Sequence, residues 1–480
     1  MTDLAPPSPL RPSSDPAPAA RLAVSAQARG TPATDLAGVH AWYRDAGRRA
    51  YTHVERVELD ALTGWRRDPA TGDIGHHSGR FFTIHGLDVH LPAAPIPRWH
   101  QPIIDQPEVG ILGLLVKDID GVPHLLMQAK VEPGNRNGLQ FSPTVQATRS
   151  NYTRVHRGRP VPYLDYFRDT DRHRVLADVR QSEQGAWFHR KRNRNLVVEV
   201  NEDVEVLDGF RWLTLGQVHE LLAEEDLVNM DARTVLSCLP FTGPALPADG
   251  DGFRLALLRS CSGDAGSLHP TSEILSWITR MRTMTDVHTR RVPLDGLPGW
   301  RRTPERITHQ DGLYFDVIGV SVRAGGREVN EWTQPMIAPR ATGVIAFLVS
   351  RIGGVLHVLV HARAEPGYHD VVELAPTVQG TPATYDALPA EARPRYLDTV
   401  LTARPGQIRF DAILSEEGGR FYHARNRYLI VETAPDTRAH PPDYRWLTVH
   451  QLAGLLRHSH YLNVQARSLV ACLHSLAAAP

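Results

Sequence analysis

Cysteine is scarce, with three in 480 residues. A disulfide framework or a cysteine-built structural zinc site is therefore not expected, and a reducing cytoplasm is the simplest compartment. Neither charge is in excess: 53 basic and 53 acidic residues cancel, which removes the bulk electrostatic argument for nucleic acid or a membrane surface as partner. Long hydrophobic runs are missing too. The longest, Gly110 to Val116 and Val344 to Val349, are far too short to span a bilayer, and the first stretch lacks the continuous apolar core of a secretion signal. Walker and Rossmann phosphate loops, Gly-x-Ser-x-Gly, HExxH and CxxC are all absent. No metal and no cofactor are expected, and the chemistry left is the kind that positioned side chains perform alone.

What the chain does contain is itself, twice. Leu139-Gln140-Phe141-Ser142-Pro143-Thr144-Val145-Gln146-Ala147-Thr148 returns 233 residues later as Val372-Glu373-Leu374-Ala375-Pro376-Thr377-Val378-Gln379-Gly380-Thr381. At that offset Trp99 falls on Trp332, Gly110 on Gly343, Glu132-Pro133-Gly134 on Glu365-Pro366-Gly367, Tyr152 on Tyr385 and Asn193-Arg194 on Asn426-Arg427. Small slips extend the echo from Trp42/Trp277 to Cys238/Cys472. A period this long is a duplicated domain rather than a solenoid.

The Pro/Ala-rich residues 1–35 read as a disordered tail. Residues 36–243 and 271–480 read as the two modules, joined by a linker, 244–270, within which Phe253 to Leu258 has the pattern of a short strand or helix. Each module opens with a helix, at His40 to Gly47 and at Ser272 to Met284. The strands Val109–Val116, His124–Ala129 and Leu196–Val200 follow, with their twins, and helices at Thr214–Leu222 and Thr448–Leu456 close the units. The class is α+β, with a mixed, largely antiparallel sheet flanked by helices.

Between the strands lie polar residues that both copies keep. Gln140, Thr144, Gln146 and Thr148 alternate, which on an extended chain puts all four on one face; such a row lines a polar pocket or serves equally well as a solvated sheet face. Lys130, Arg136, Arg149, Arg154, Arg190, Lys191, Arg192 and Arg194 bring donors suited to phosphate oxygens or form a solvated basic face, and the echoed Arg192/Arg425 and Arg194/Arg427 precede strands. The acid–base candidates are His76/His309, Glu132/Glu365 and Tyr152/Tyr385, with Glu373 replacing Gln140 in the second copy.

Gly75-His76-His77-Ser78-Gly79-Arg80-Phe81-Phe82, Trp99-His100-Gln101-Pro102-Ile103-Ile104 and the paired Pro-Thr-Val-Gln phrases resemble those of the NDP-hexose 2,3-dehydratase family of deoxysugar biosynthesis, over essentially everything after the tail. The resemblance implies a pair of Nudix-like modules, a homodimer, and elimination of water across C2–C3 of dTDP-4-keto-6-deoxy-D-glucose, with the product passed to a 3-ketoreductase. By motif position, Gln140, Ser142, Thr144, Gln146 and Thr148, with Thr377 and Gln379, would surround the sugar. Lys130, Arg149, Arg192, Arg194, Arg363, Arg425 and Arg427 would face the diphosphate, and Trp99 or Trp332 would stack on thymine or belong to the core. The base would come from His76, Glu132 and Tyr152 or from His309, Glu365, Glu373 and Tyr385, and the choice of module stays open. The carboxylate box of true Nudix hydrolases is missing, which weighs against a metal-dependent sugar-nucleotide pyrophosphatase; a non-catalytic sugar-nucleotide-binding partner is the other alternative.

Overall fold

The structure, a computed structural model, describes residues 17–30, 35–149, 160–243, 246–325, 330–434 and 436–479. Each module is built on a seven-stranded sheet of identical topology. In the first, the order is Arg174–Ser182, Arg192–Val200, Gly110–Ile119, Val122–Val131 and Phe210–Thr214. Leu139–Ser142 pairs beside Val122–Val131, and Val145–Ala147 beside Gly110–Ile119. The second repeats the plan with Ile408–Ser415, Arg425–Glu432, Gly343–Ile352, Val355–Ala364 and Tyr444–Leu447. Most ladders are antiparallel; Arg192–Val200 runs parallel to Gly110–Ile119, as its twin does to Gly343–Ile352. Central strands read as continuous Val/Ile/Leu runs because both faces are covered. The expected closing helices, Leu215–Leu221 and Val449–Leu455, start where Thr214 and Thr448 each form a capping box with the glutamine three residues on. Among the described residues, no helix is long and apolar enough to cross a membrane.

Two expectations need correction. Part of the tail is structured: Ala17–Gln27 is a helix whose Leu22 and Ala26 lie in the first module's core, and Ser25 Oγ accepts from Leu215 N at 2.8 Å. Within the expected linker, Gly252–Ser260 is the matching helix, with Phe253, Ala256 and Leu257 in the second core and Ser260 Oγ accepting from Val449 N at 2.8 Å. Both helices are too short to display a helical period among their prolines and glycines, and both gain their order by docking.

The modules are interlocked. Thr52–Val57 of the first module pairs with Phe315–Ala324 of the second, while His288–Val292 of the second pairs with Thr83–His90 of the first. The Glu-Pro-Gly turns reach across the boundary as well: Gly134 N donates to Gly418 O at 2.7 Å, and Gly367 N to Gly185 O at 2.8 Å. The glycines are required by this approach, because a Cβ at 134 would stand 1.9 Å from Phe421 O and one at 367 would stand 1.8 Å from Phe188 O. Between Met230–Leu236 and Val464–Ala478 lie two fully buried arginines with matching roles. Arg233 donates to Val228 O, Ser415 O and Ser468 Oγ. Arg467 donates to Leu462 O, Ser182 O and Thr234 Oγ1.

Candidate active site at the module boundary

A cavity of about 100 Å³ opens in the first module and is completed by the second. Glu132, from the end of Val122–Val131, and Gln146, from Val145–Ala147, meet at 2.7 Å, the amide donating to the carboxylate. The Gln146 side-chain oxygen accepts from Asn229 Nδ2 at 3.2 Å, and its backbone carbonyl accepts from Lys130 Nζ at 3.0 Å. Glu183, Lys191, Asn193 and Asp231 line the same space, and the second module adds Glu417, Gly419 and Arg420. The contributed loop is held by its own turn, Glu417 accepting from Gly419 N at 2.9 Å and Arg420 N at 2.8 Å. Gln334 also donates to Gly419 O at 2.6 Å. Three buried polar atoms at the cavity, Glu183 Oε2, Asp231 Oδ1 and Gln106 Nε2, have no hydrogen-bond partner among the described residues, a shortfall a polar ligand makes up.

The electrostatics suit proton transfer near neutrality. Burial, then the charges of Glu132 and Glu183, push the Glu417 carboxyl up to about 7. Burial lowers the Lys191 ammonium to about 8, with Glu183 opposing. Asp231 is held well above the usual carboxylate range by burial and by Glu183 and Glu132, and Glu183 is raised by its own burial. Crowded carboxyls cannot all ionise in a poorly solvated space, so the group retains protons at neutral pH.

Of the expected sugar-facing row, Gln146 and Thr148 reach the cavity. The chain turns at Pro143-Thr144 and changes its strand partner, which ends the alternation. Thr144 Oγ1 instead accepts from Leu115 N at 2.9 Å and donates to Leu126 O, and Thr377 repeats this with Leu348 N and Leu359 O. Ser142 donates to Pro143 O at 3.0 Å. Gln140 lies in the inter-module contact, accepting from Ser415 Oγ at 2.7 Å. Its twin Glu373 accepts from Ser182 Oγ at 2.5 Å and is likewise fully buried. Trp99 and Trp332 donate to Gln101 and Gln334 at 2.8 and 2.9 Å, their rings against sheet cores. Arg194 and Arg427 form two-pronged ion pairs with Asp178 and Asp411 on the outer strands, and Arg425 pairs with Asp226 at 2.9 Å. Arg192 is half-buried beside Arg180, and Arg149 is exposed; neither lines the cavity. His76 and His309 sit on hairpins against Trp65 and Trp300. Tyr152 lies outside the described residues.

The second module's matching position is differently furnished. Arg363 and Gln379 both donate to Glu365, at 2.8 and 3.0 Å, so that carboxylate is already paired. Tyr385 packs so closely on Gly380 that a Cβ there would meet its hydroxyl at 2.3 Å. Where the first site has Lys191, Asp231 and Arg420, the duplicate has Ala424, Gln465 and Trp187. Sequence reasoning overlooked Gln106, Glu183, Asp231, Glu417 and Arg420. Glu183 had a readable signal, since it echoes as Glu416 at the same offset. Glu417 and Arg420 had none, because they belong to the opposite module.

Glu373 gives a test independent of turnover. Burial pushes its carboxyl up to about 7, with Ser182, Arg467 and Arg282 pulling the other way. A pKa raised on folding means that the folded state binds the extra proton, so this contribution is present below the unfolded carboxylate pKa and is lost as pH rises towards 7. Glu373→Gln, which copies Gln140, should flatten the fall in stability between about pH 4.5 and 7 while leaving turnover within about threefold. Denaturant titrations across pH check it; an unchanged slope would rule the assignment out.

Comparison with known proteins places this arrangement. The profile of the NDP-hexose 2,3-dehydratase family matches residues 36–239 and again 271–473. A dTDP-4-dehydro-6-deoxy-alpha-D-glucopyranose 2,3-dehydratase of Saccharopolyspora spinosa is 56% identical over 444 residues, 91% of each chain. Those of Amycolatopsis orientalis and Streptomyces violaceoruber are 47% and 49% identical, covering 96% and 92% of this chain and 94% and 98% of their own. Both halves of the protein, with the boundary cavity between them, belong to the NDP-hexose 2,3-dehydratase family.

Proposed function

We propose that the boundary cavity is the site at which this enzyme eliminates water across C2–C3 of dTDP-4-keto-6-deoxy-D-glucose. The observation that carries the assignment is the convergence of Glu132, Glu183, Asp231 and Glu417 with Lys130, Lys191 and Arg420 in one space. The 4-ketone acidifies the C3 proton. Glu132, oriented by the Gln146 amide, removes it as general base; an ammonium, Lys191 or Lys130, faces the oxyanion that grows on O4. The Glu417 carboxyl, half protonated near neutrality, gives its proton to the departing C2 hydroxyl. Water leaves, and the resulting enol tautomerises to the 3,4-diketo-2,6-dideoxy sugar. Arg420 lines the cavity, over the Phe82 ring, and is assigned to the diphosphate.

In the same reading each module is Nudix-like and begins at its docking helix rather than at residue 36 or 271, the protein works in the cytoplasm as a homodimer, and the reactive diketone passes to a 3-ketoreductase. Incubation with the substrate in deuterated buffer, with EDTA, a 3-ketoreductase and NADPH, tests the chemistry. Loss of water with deuterium incorporated at C2, as the enol product ketonises, is expected. Bound but unconverted substrate, or dTMP formed only with magnesium, would overturn it.

A further inference from the structure

Beside the boundary cavity, whose lining includes Gln106, Phe188 and Lys191, three side chains that do not themselves line it converge on the first module's sheet that receives His288–Val292. Asp105 closes the strand Arg98–Asp105; His189 lies opposite it in the short parallel strand Phe188–His189, and His85 sits diagonally across the antiparallel pairing with Thr83–His90. This register puts all three on one face of the sheet. One nitrogen from each imidazole and one carboxylate oxygen lie within 4.8 Å of one another. His85 is almost completely buried at 1% exposure. Its Nδ1 is 2.9 Å from Gly86 O, so Nδ1 carries the proton and donates. Nε2 is left as a bare lone pair, 3.9 Å from Asp105 Oδ2 and without a hydrogen-bond partner among the described residues.

Two electron-pair donors therefore face each other in a buried place with no proton to share. A carbonyl-anchored Nδ1–H with a free Nε2 is how a metal-binding histidine is held. Ligand atoms around a tetrahedral ion stand about 3.3 Å apart, given bonds near 2.0–2.2 Å, so small rotamer adjustments bring the three into range. Asp105 and His189 are half-buried, which leaves a path for entry. The nearby charges are accounted for: Arg291 is paired with Asp73 at 2.7 Å, and Arg190 is exposed. The duplication supplies a built-in comparison. At the same offset the second module has Ile318, Ala338 and Tyr422, which pack together as an apolar cluster. The sheet thus folds without these ligands, and the first copy carries them in addition.

We propose that His85 Nε2, Asp105 and His189 bind one divalent transition cation of zinc type, pinning the segment between Glu183 and Lys191 that lines the boundary cavity. Untagged, EDTA-stripped protein titrated calorimetrically with zinc chloride should take up one equivalent. Cobalt(II) should give the visible absorption of a tetrahedral nitrogen/oxygen site, and zinc should raise the unfolding midpoint. Asp105→Asn and His189→Tyr, the latter copying the duplicate, should each weaken zinc binding at least tenfold with an unchanged circular dichroism spectrum. Absence of a saturable equivalent would overturn the proposal. So would equal affinity in wild type and both variants, which would put the ion elsewhere among the 24 histidines.

Discussion

Glu132→Gln is expected to lower kcat by about 10²–10⁴-fold, the range over which a positioned general base contributes. The substitution keeps the shape of the side chain and its contact with the Gln146 amide but removes the basic carboxylate assigned to the C3 proton. The loss should therefore appear in kcat, with KM little changed, and exchange of the C3 hydrogen with deuterated solvent should disappear in parallel. Glu365→Gln is the matched control. Its carboxylate is engaged by Arg363 and Gln379, and Ala424, Gln465 and the first module's Trp187 stand where the first site has Lys191, Asp231 and Arg420; turnover within about threefold of wild type is expected. The reverse pattern, with Glu365→Gln inactive and Glu132→Gln active, would move the reaction to the second module.

The second large effect concerns folding. Arg233→Met should destabilise the protein by about 3–5 kcal/mol, because each buried polar group left without its partner costs about 1–3 kcal/mol. The carbonyls of Val228 and Ser415 would lose their donor in a dry interface. Arg467→Met should behave alike, because its bonds to Leu462 O and Ser182 O repeat the pattern. At about 2–4 °C per kcal/mol for a unit of this size, the unfolding midpoint should fall by roughly 10 °C. Arg194→Ala removes an equally well-formed pair, but at the surface with Asp178, and should change stability by under about 1 kcal/mol. Calorimetry of the three variants separates the cases; similar midpoints for Arg233→Met and Arg194→Ala would mean that the buried network is not what joins the modules.

The duplication, the strands and the closing helices were legible because they rest on local pattern: apolar runs, a capping threonine, a turn glycine. Glu132, Gln146, Thr148 and Lys130 were legible as site candidates because their strands are contiguous in sequence. Thr144 misled, since an alternation rule assumes one unbroken strand, and Pro143 interrupts it. Glu373 misled for a different reason. An extra carboxylate in a repeated phrase looks like chemistry, yet its partner Ser182 lies 191 residues away in the other module. The same distance hid Glu417 and Arg420. No local pattern reports what an opposite module brings to a cavity, or which strand has crossed over to pair there.

Reciprocal pairing of the kind seen here, Thr52–Val57 on one partner and His288–Val292 on the other, is the contact scheme of a twofold assembly, in which each half offers what the other receives. A free dimer with that scheme changes both sides at every mutation. Joining the halves in one chain removes that constraint. One half could keep lysine, aspartate and arginine at its cavity while the other settled on alanine, glutamine and tryptophan, yet still lend its loop to its neighbour's cavity. Neither half is dispensable after such a division of labour. Separated at the 244–270 connection, each module would leave with a strand that completes its neighbour's sheet, and the first would leave without Glu417 and Arg420.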